Sequence, residues 1–74
     1  MHRYSEQLIR HQALNADGKA CEILERITYE RQPGAAEPVI VNRRFDLRTG
    51  ERVNRLSDTE FEEDASGARL QLQP

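Results

Sequence analysis

The sequence predicts an all-β fold, a small antiparallel meander of five or six strands curled into a partial barrel. Two observations predict it. Several short runs alternate apolar with polar residues, which is the period of a half-buried strand. Between those runs stand Gly- and Asp-containing turn signals at intervals of about eight to fourteen residues, the spacing of a meander or small barrel. A length of 74 residues makes residues 1–74 a single domain near the lower limit of what folds without metal or disulfide support.

The elements follow in chain order. Residues 3–14 are ambiguous. Tyr4, Leu8 and Leu14 share a parity that Ile9 and Ala13 break, and Ser5 with Leu8, Ile9 and Gln12 also fits the start of a helix. In residues 19–31, Cys21, Ile23, Ile27 and Tyr29 alternate with Glu22, Arg26, Thr28 and Glu30, a strand pattern rich in β-branched and aromatic side chains. A helical stripe through Ala20, Ile23, Leu24 and Ile27 competes with it. The turn signal Asp17-Gly18 just upstream decides for a strand, and makes 3–14 its economical hairpin partner. That hairpin places Cys21 opposite residue 14.

"QPGAAEP", 32–38, reads as a loop. "VIVNRRFDL", 39–47, is the clearest strand, with Val39, Val41, Phe45 and Leu47 on one side. "RTG" turns the chain at Gly50, where a positive φ suits glycine. A short return strand holds Val53. "LSD", 56–58, turns again, and "TEFEE" carries Phe61 inward. "ASG", 65–67, makes the last turn before a strand with Ala68, Leu70 and Leu72 on one parity.

The C-terminal half resembles a group of short bacterial proteins. The residues that carry the resemblance are Phe45 and Leu47, the Gly50 turn, Val53-Asn54-Arg55-Leu56, Asp58-Thr59 with Phe61, and the Ser66-Gly67 hairpin leading to Leu70. It covers residues 44–72 well and the N-terminal hairpin loosely. It implies a fold and no activity. The chain departs from the pattern after Phe61, where Glu63 and Asp64 replace apolar residues and call into question the burial of the penultimate strand.

Charge is segregated. Residues 42–56 carry Arg43, Arg44, Arg48, Arg52 and Arg55 against Asp46 and Glu51, a local balance of +3, and 57–64 carry Asp58, Glu60, Glu62, Glu63 and Asp64, a balance of −5. Pairing of the two blocks across neighbouring strands is expected. The candidate contact residues for a protein partner or nucleic acid are Arg43, Arg44, Arg48, Arg52, Asn54 and Arg55. Arginine beside an exposed aromatic residue can neutralise and stack single-stranded nucleic acid. However, Phe45 shares its parity with core positions, and an overall charge of −2 lacks the footprint of a nucleic-acid binder. Asn54 is expected to hydrogen-bond backbone in its turn.

The remaining candidates carry little chemistry. The acids of 57–64 do not follow the spacing of a calcium loop and read as a solvated face that discourages edge pairing. His2 and His11 have no partner at metal-ligand spacing. Cys21 is the single cysteine, which excludes an intrachain disulfide. It reads as a small core residue, and the hairpin register separates it from His11, its one candidate base. No cofactor and no catalytic centre are expected. The opening "MHRYSEQLIRH" has no apolar stretch of the kind a secretory leader needs, no run is long enough to span a bilayer, and a lone thiol fits a reducing compartment. A cytoplasmic location is expected. A non-enzymatic interaction or structural module is the expected function, the partner being another protein or a second copy in a homodimer. The strand 39–47 is the expected edge or dimer seam, and weak single-stranded nucleic-acid binding by residues 43–55 is the alternative.

Overall fold

The computed structural model describes residues 3–73, so His2 lies outside the described residues. The chain forms six strands: β1 (Arg3–Leu14), β2 (Ala20–Arg31), β3 (Val39–Leu47), β4 (Arg52–Arg55), β5 (Glu60–Glu63) and β6 (Arg69–Leu72). They pair antiparallel in sequence order, and β6 returns to β1, so the meander closes into a barrel rather than stopping at a partial one. Residues 3–14 are strand throughout. Among the described residues no helix is long and apolar enough to cross a membrane.

Strand length sets the shape. β1 and β2 have 12 residues each and β3 has 9, whereas β4, β5 and β6 have 4 each. A twelve-residue strand spans about 40 Å, against about 13 Å for four residues. The long strands therefore run past the short ones, and the molecule measures 49 × 25 × 19 Å. Only Phe45 and Asp46 of β3 pair with β4, and only Ala13 and Leu14 of β1 pair with β6. Residues 3–11, 24–31 and 39–44 thus leave the barrel as a three-stranded arm with β2 in the middle.

The core lies inside the barrel. Ala13, Ile23, Val53, Phe61 and Leu70 are buried together, with Cys21, Phe45, Leu47 and Leu72 packed against them. Phe45 meets Phe61 edge-to-face with ring centroids 4.9 Å apart, the geometry that aromatic quadrupoles favour. Phe61 is buried despite the acids that follow it: Glu62 and Glu63 are half-buried and Asp64 is exposed. Ile27 is buried outside this cluster, in the centre of the arm between its register partners Gln7 and Arg43. Several apolar residues of the sequence are not core at all. Tyr4, Leu8, Val39, Ile40 and Val41 are 48–65% exposed because the arm has no second layer to cover them.

Two registers differ from the sequence expectation. In the first hairpin Cys21 faces Ala13, not residue 14. Gly18 N donates to Asn15 O and Asn15 N to Lys19 O, and Gly18 then takes φ 77°. The loop is one residue longer than a two-residue turn at Asp17-Gly18 would be, because glycine adds a left-handed step after the tight turn. The Asn15 side chain holds it by accepting from Asp17 N and Lys19 N. The second difference lies in β3, where Thr28 pairs with Asn42 but Tyr29 pairs with Ile40. Val41 is the extra residue of a β-bulge, and beyond it the parity reverses. Val39 therefore joins the face opposite to that of Phe45 and Leu47, while Ile40 joins theirs.

Candidate functional site: the arginine groove and the arm

The site forms where β3 and β4 diverge. Past Phe45 the two strands no longer pair, and the fork between them is a groove of about 330 Å³ lined by Arg43, Arg44, Phe45, Arg52, Val53, Asn54 and Arg55. Five of the six candidate contact residues thus come together. Arg48 does not: it sits past the end of β3, where its N–H donates to Glu22 O, and lines a separate cleft with Gln12, Cys21 and Glu22.

Most of the groove's charge is already met. Arg43 Nε lies 3.1 Å from Glu25 Oε2. Arg44 donates from Nε and Nη2 to the two carboxylate oxygens of Asp46 at 3.0 and 3.1 Å, and this fork raises the guanidinium pKa above its ordinary value. Arg55 donates to Asp58 and to Ser57 O. Among the described residues Arg52 has no carboxylate within ion-pair distance. Asn54 reaches the Asp64 side chain at 2.9 Å rather than turn backbone, and so tethers β4 to the turn after β5.

The expected pairing of the basic and acidic blocks is therefore narrow. Arg55–Asp58 is the one ion pair that joins them, whereas Glu60 and Glu62 turn to Arg69 on β6 at 3.7 Å each. β5 separates β4 from β6, and of the basic block only Arg52 and Arg55 lie on β4 beside β5, whereas Arg43 and Arg44 lie on β3, which does not pair with β5. Phe45 is half-buried and packs on the core and on Phe61, as a core residue does and an open stacking platform does not.

Beneath the arm, His11, Glu25, Phe45, Arg55, Asp58, Phe61 and Leu72 surround a cavity of about 150 Å³ at the barrel mouth. Glu25 has a side chain only 12% exposed and bridges two strands, accepting from His11 Nε2 at 2.8 Å on one oxygen and Arg43 on the other. The sequence reading missed this contact for a definable reason. A hairpin one residue out of register puts Glu25 on the opposite face from His11, and the true register puts both inside. The dyad orients an imidazole, but among the described residues no serine, threonine or cysteine hydroxyl or thiol lines that cavity. Nor do the described residues hold a group of three potential metal ligands.

Cys21 lines the cleft with Arg48, and burial pushes its thiol pKa up. A raised pKa leaves less thiolate at neutral pH, and the thiolate is the reactive form. Labelling by a disulfide reagent at pH 7 should be at least about tenfold slower for the native protein than for the urea-unfolded chain. Equal rates would show the thiol to be open and activated.

The arm supplies the other feature. Among the described residues, 3–11 of β1 and 39–44 of β3 make no strand pairing on their outer sides. Open edges present unpaired N–H and C=O groups in rows. Here they stand beside the exposed side chains of Tyr4, Leu8, Val39, Ile40 and Val41. The chain matches no known family model, no curated protein and no solved structure.

Proposed function

We propose that the protein is a non-enzymatic interaction module, working in the cytoplasm, whose binding element is the arm. One observation supports the reading above the others: among the described residues both edges of the arm are unpaired while five large apolar side chains on it are about half exposed or more. Exposed apolar surface on an unpaired edge is what strand addition uses, with main-chain hydrogen bonds supplying affinity and side chains supplying choice. A domain of this size also has little core to spare for a catalytic cleft.

Affinity capture from a host lysate with and without nuclease tests it, using the wild type beside an Ile40→Lys/Val41→Lys variant. A lysine pair on an edge strand discourages strand addition without touching the barrel core. A protein retained after nuclease by the wild type and lost by the variant is the expected result. Retention that nuclease removes, with affinity falling steeply as salt rises, would transfer the function to Arg43, Arg44, Arg52 and Arg55 and end the interaction reading.

A further inference from the structure

We propose that the open edge of β1 pairs with the same edge of a second copy, antiparallel, with the two-fold axis at Leu8. This rests on the reading of the arm as the binding element and names a partner for one of its edges.

The two edges of the arm are not equivalent. The β3 edge begins after Pro38, carries the Val41 bulge and bears Arg43 and Arg44, all features that turn an edge strand away from pairing. The β1 edge lacks the proline and the bulge, and its charges alternate in sign, Arg3, Glu6 and Arg10, rather than repelling a like strand. Its register with β2 runs unbroken from Arg3 to Leu14, and it contains no proline. It ends at His11, because Gln12 O already accepts from Gln73 N at 2.9 Å, and Ala13 and Leu14 belong to β6. A regular, unbulged edge of this length is a template for another strand.

The side chains select which strand. Tyr4, Glu6, Leu8, Arg10, Gln12 and Leu14 share the outer face, since their register partners are Glu30, Thr28, Arg26, Leu24, Glu22 and Ala20. If two β1 strands pair antiparallel about Leu8, Leu8 meets Leu8, and Glu6 of each copy faces Arg10 of the other. Both opposite-charge pairs form at once from a single segment. Slipping the register by two residues in either direction breaks both. Glu6 has no basic partner among the described residues. The Arg10 side chain is 70% exposed, with Glu22 only at 3.9 Å. On the inner face Gln7 would oppose Ile9 and Ser5 would oppose His11, which puts no like charges in contact when His11 is neutral. Tyr4, 65% exposed, and Leu8, 48% exposed, would gain cover that the monomer does not provide. The paired window, Ser5 to His11, stops at the end of the partner's β6, so neither barrel has to open. The product is a six-stranded sheet in which the two β1 edges are consumed and both β3 edges and arginine grooves stay free. A symmetric, self-complementary contact of this kind closes at the dimer and does not propagate.

Sedimentation equilibrium over about two decades of concentration should show a monomer–dimer equilibrium for the wild type. Glu6→Arg and Arg10→Glu should each weaken it by about tenfold or more, because each places like charges opposite one another twice. An equal mixture of the two variants should dimerise, because every cross-strand pair is then attractive. In a Cys21→Ser background, Leu8→Cys should cross-link with oxidised glutathione much faster than Gln7→Cys or Ile9→Cys. Only residue 8 meets its own copy, at about the 4.5–5.5 Å Cα separation of opposed strand residues, which a disulfide tolerates. A wild type that is monomeric throughout overturns the proposal. A dimer that ignores the charge variants and dissociates with Ile40→Lys/Val41→Lys overturns it too, while leaving the arm as the binding element. The wider reading falls separately, if the capture experiment yields no arm-dependent protein.

Discussion

Phe61→Ala should leave the protein largely unfolded at room temperature. Phe61 is 2% exposed, sits in the five-residue core and packs edge-to-face on Phe45. Truncating a buried phenylalanine costs about 3–5 kcal/mol, the sum of lost transfer energy and the cavity left behind. The aromatic pair adds about 0.5–1.5 kcal/mol that is lost with the ring. Folded domains carry about 0.05–0.15 kcal/mol per residue, which for a chain of this length is about 4–11 kcal/mol. Small domains stand at the low end of that range. The loss therefore matches most of the stability available. A relaxed core cannot easily recover it, because the barrel wall on the Phe61 side is made of four-residue strands with few other apolar groups. Urea titration followed by circular dichroism measures the effect, with Phe61→Leu as the companion that keeps most of the volume. A midpoint for Phe61→Ala within a few tenths of the wild type's fractional change in urea would mean that the barrel interior is not the principal source of stability. The arm would then have to be.

The features that make Phe61 central were legible in the sequence, and the reasons others were not are local. Alternation in 19–31 and 39–47 and the glycine turns gave the strands, since each is a short-range signal carried by neighbouring residues. Phe45, Val53, Phe61 and Leu70 were readable as interior for the same reason. The arm was not, because exposure of Tyr4, Leu8 and Val39 follows from the difference in length between β1–β3 and β4–β6, a property of the assembled sheet. The bulge at Val41 leaves no mark in a run of aliphatic residues, and it moved Val39 to the other face. The arginine cluster was visible, but its neutralisation was not. Glu25 and Asp46 reach Arg43 and Arg44 only through the register of β2 with β3 and the fork geometry of one side chain. Barrel closure depends on Ala13 and Leu14 meeting residues nearly sixty positions later, and nothing in the local pattern around Ala13 announces a seam.

That seam should be the first part of the barrel to give way. Ala13 is fully buried, faces Cys21 on β2 and Leu72 on β6, and lies at one of only two registered pairs between β1 and β6. Two further hydrogen bonds hold the end of the chain, Gln73 N to Gln12 O at 2.9 Å and Leu72 N to Thr59 O at 2.8 Å. A small side chain is required here because two strands and the core converge on it. In Ala13→Leu the added isopropyl group must displace the side chains around this fully buried position. Overpacking of this kind costs about 1–3 kcal/mol when the surroundings must deform together. Here a cheaper route exists, in which β6 lifts from β1 while β1 keeps its twelve pairs to β2 and β6 keeps its pairs to β5. The expected result is local opening rather than uniform weakening. Amide hydrogen exchange should show the Gln73 amide losing protection by about tenfold or more, while the Ile23 amide in the middle of the sheet exchanges nearly as in the wild type. A parallel loss at both amides would mean that the strain spreads through the whole barrel. β1–β6 pairing would then be as strong as the hairpins despite its length, and the barrel would have to be regarded as one cooperative unit instead of a meander with a latch.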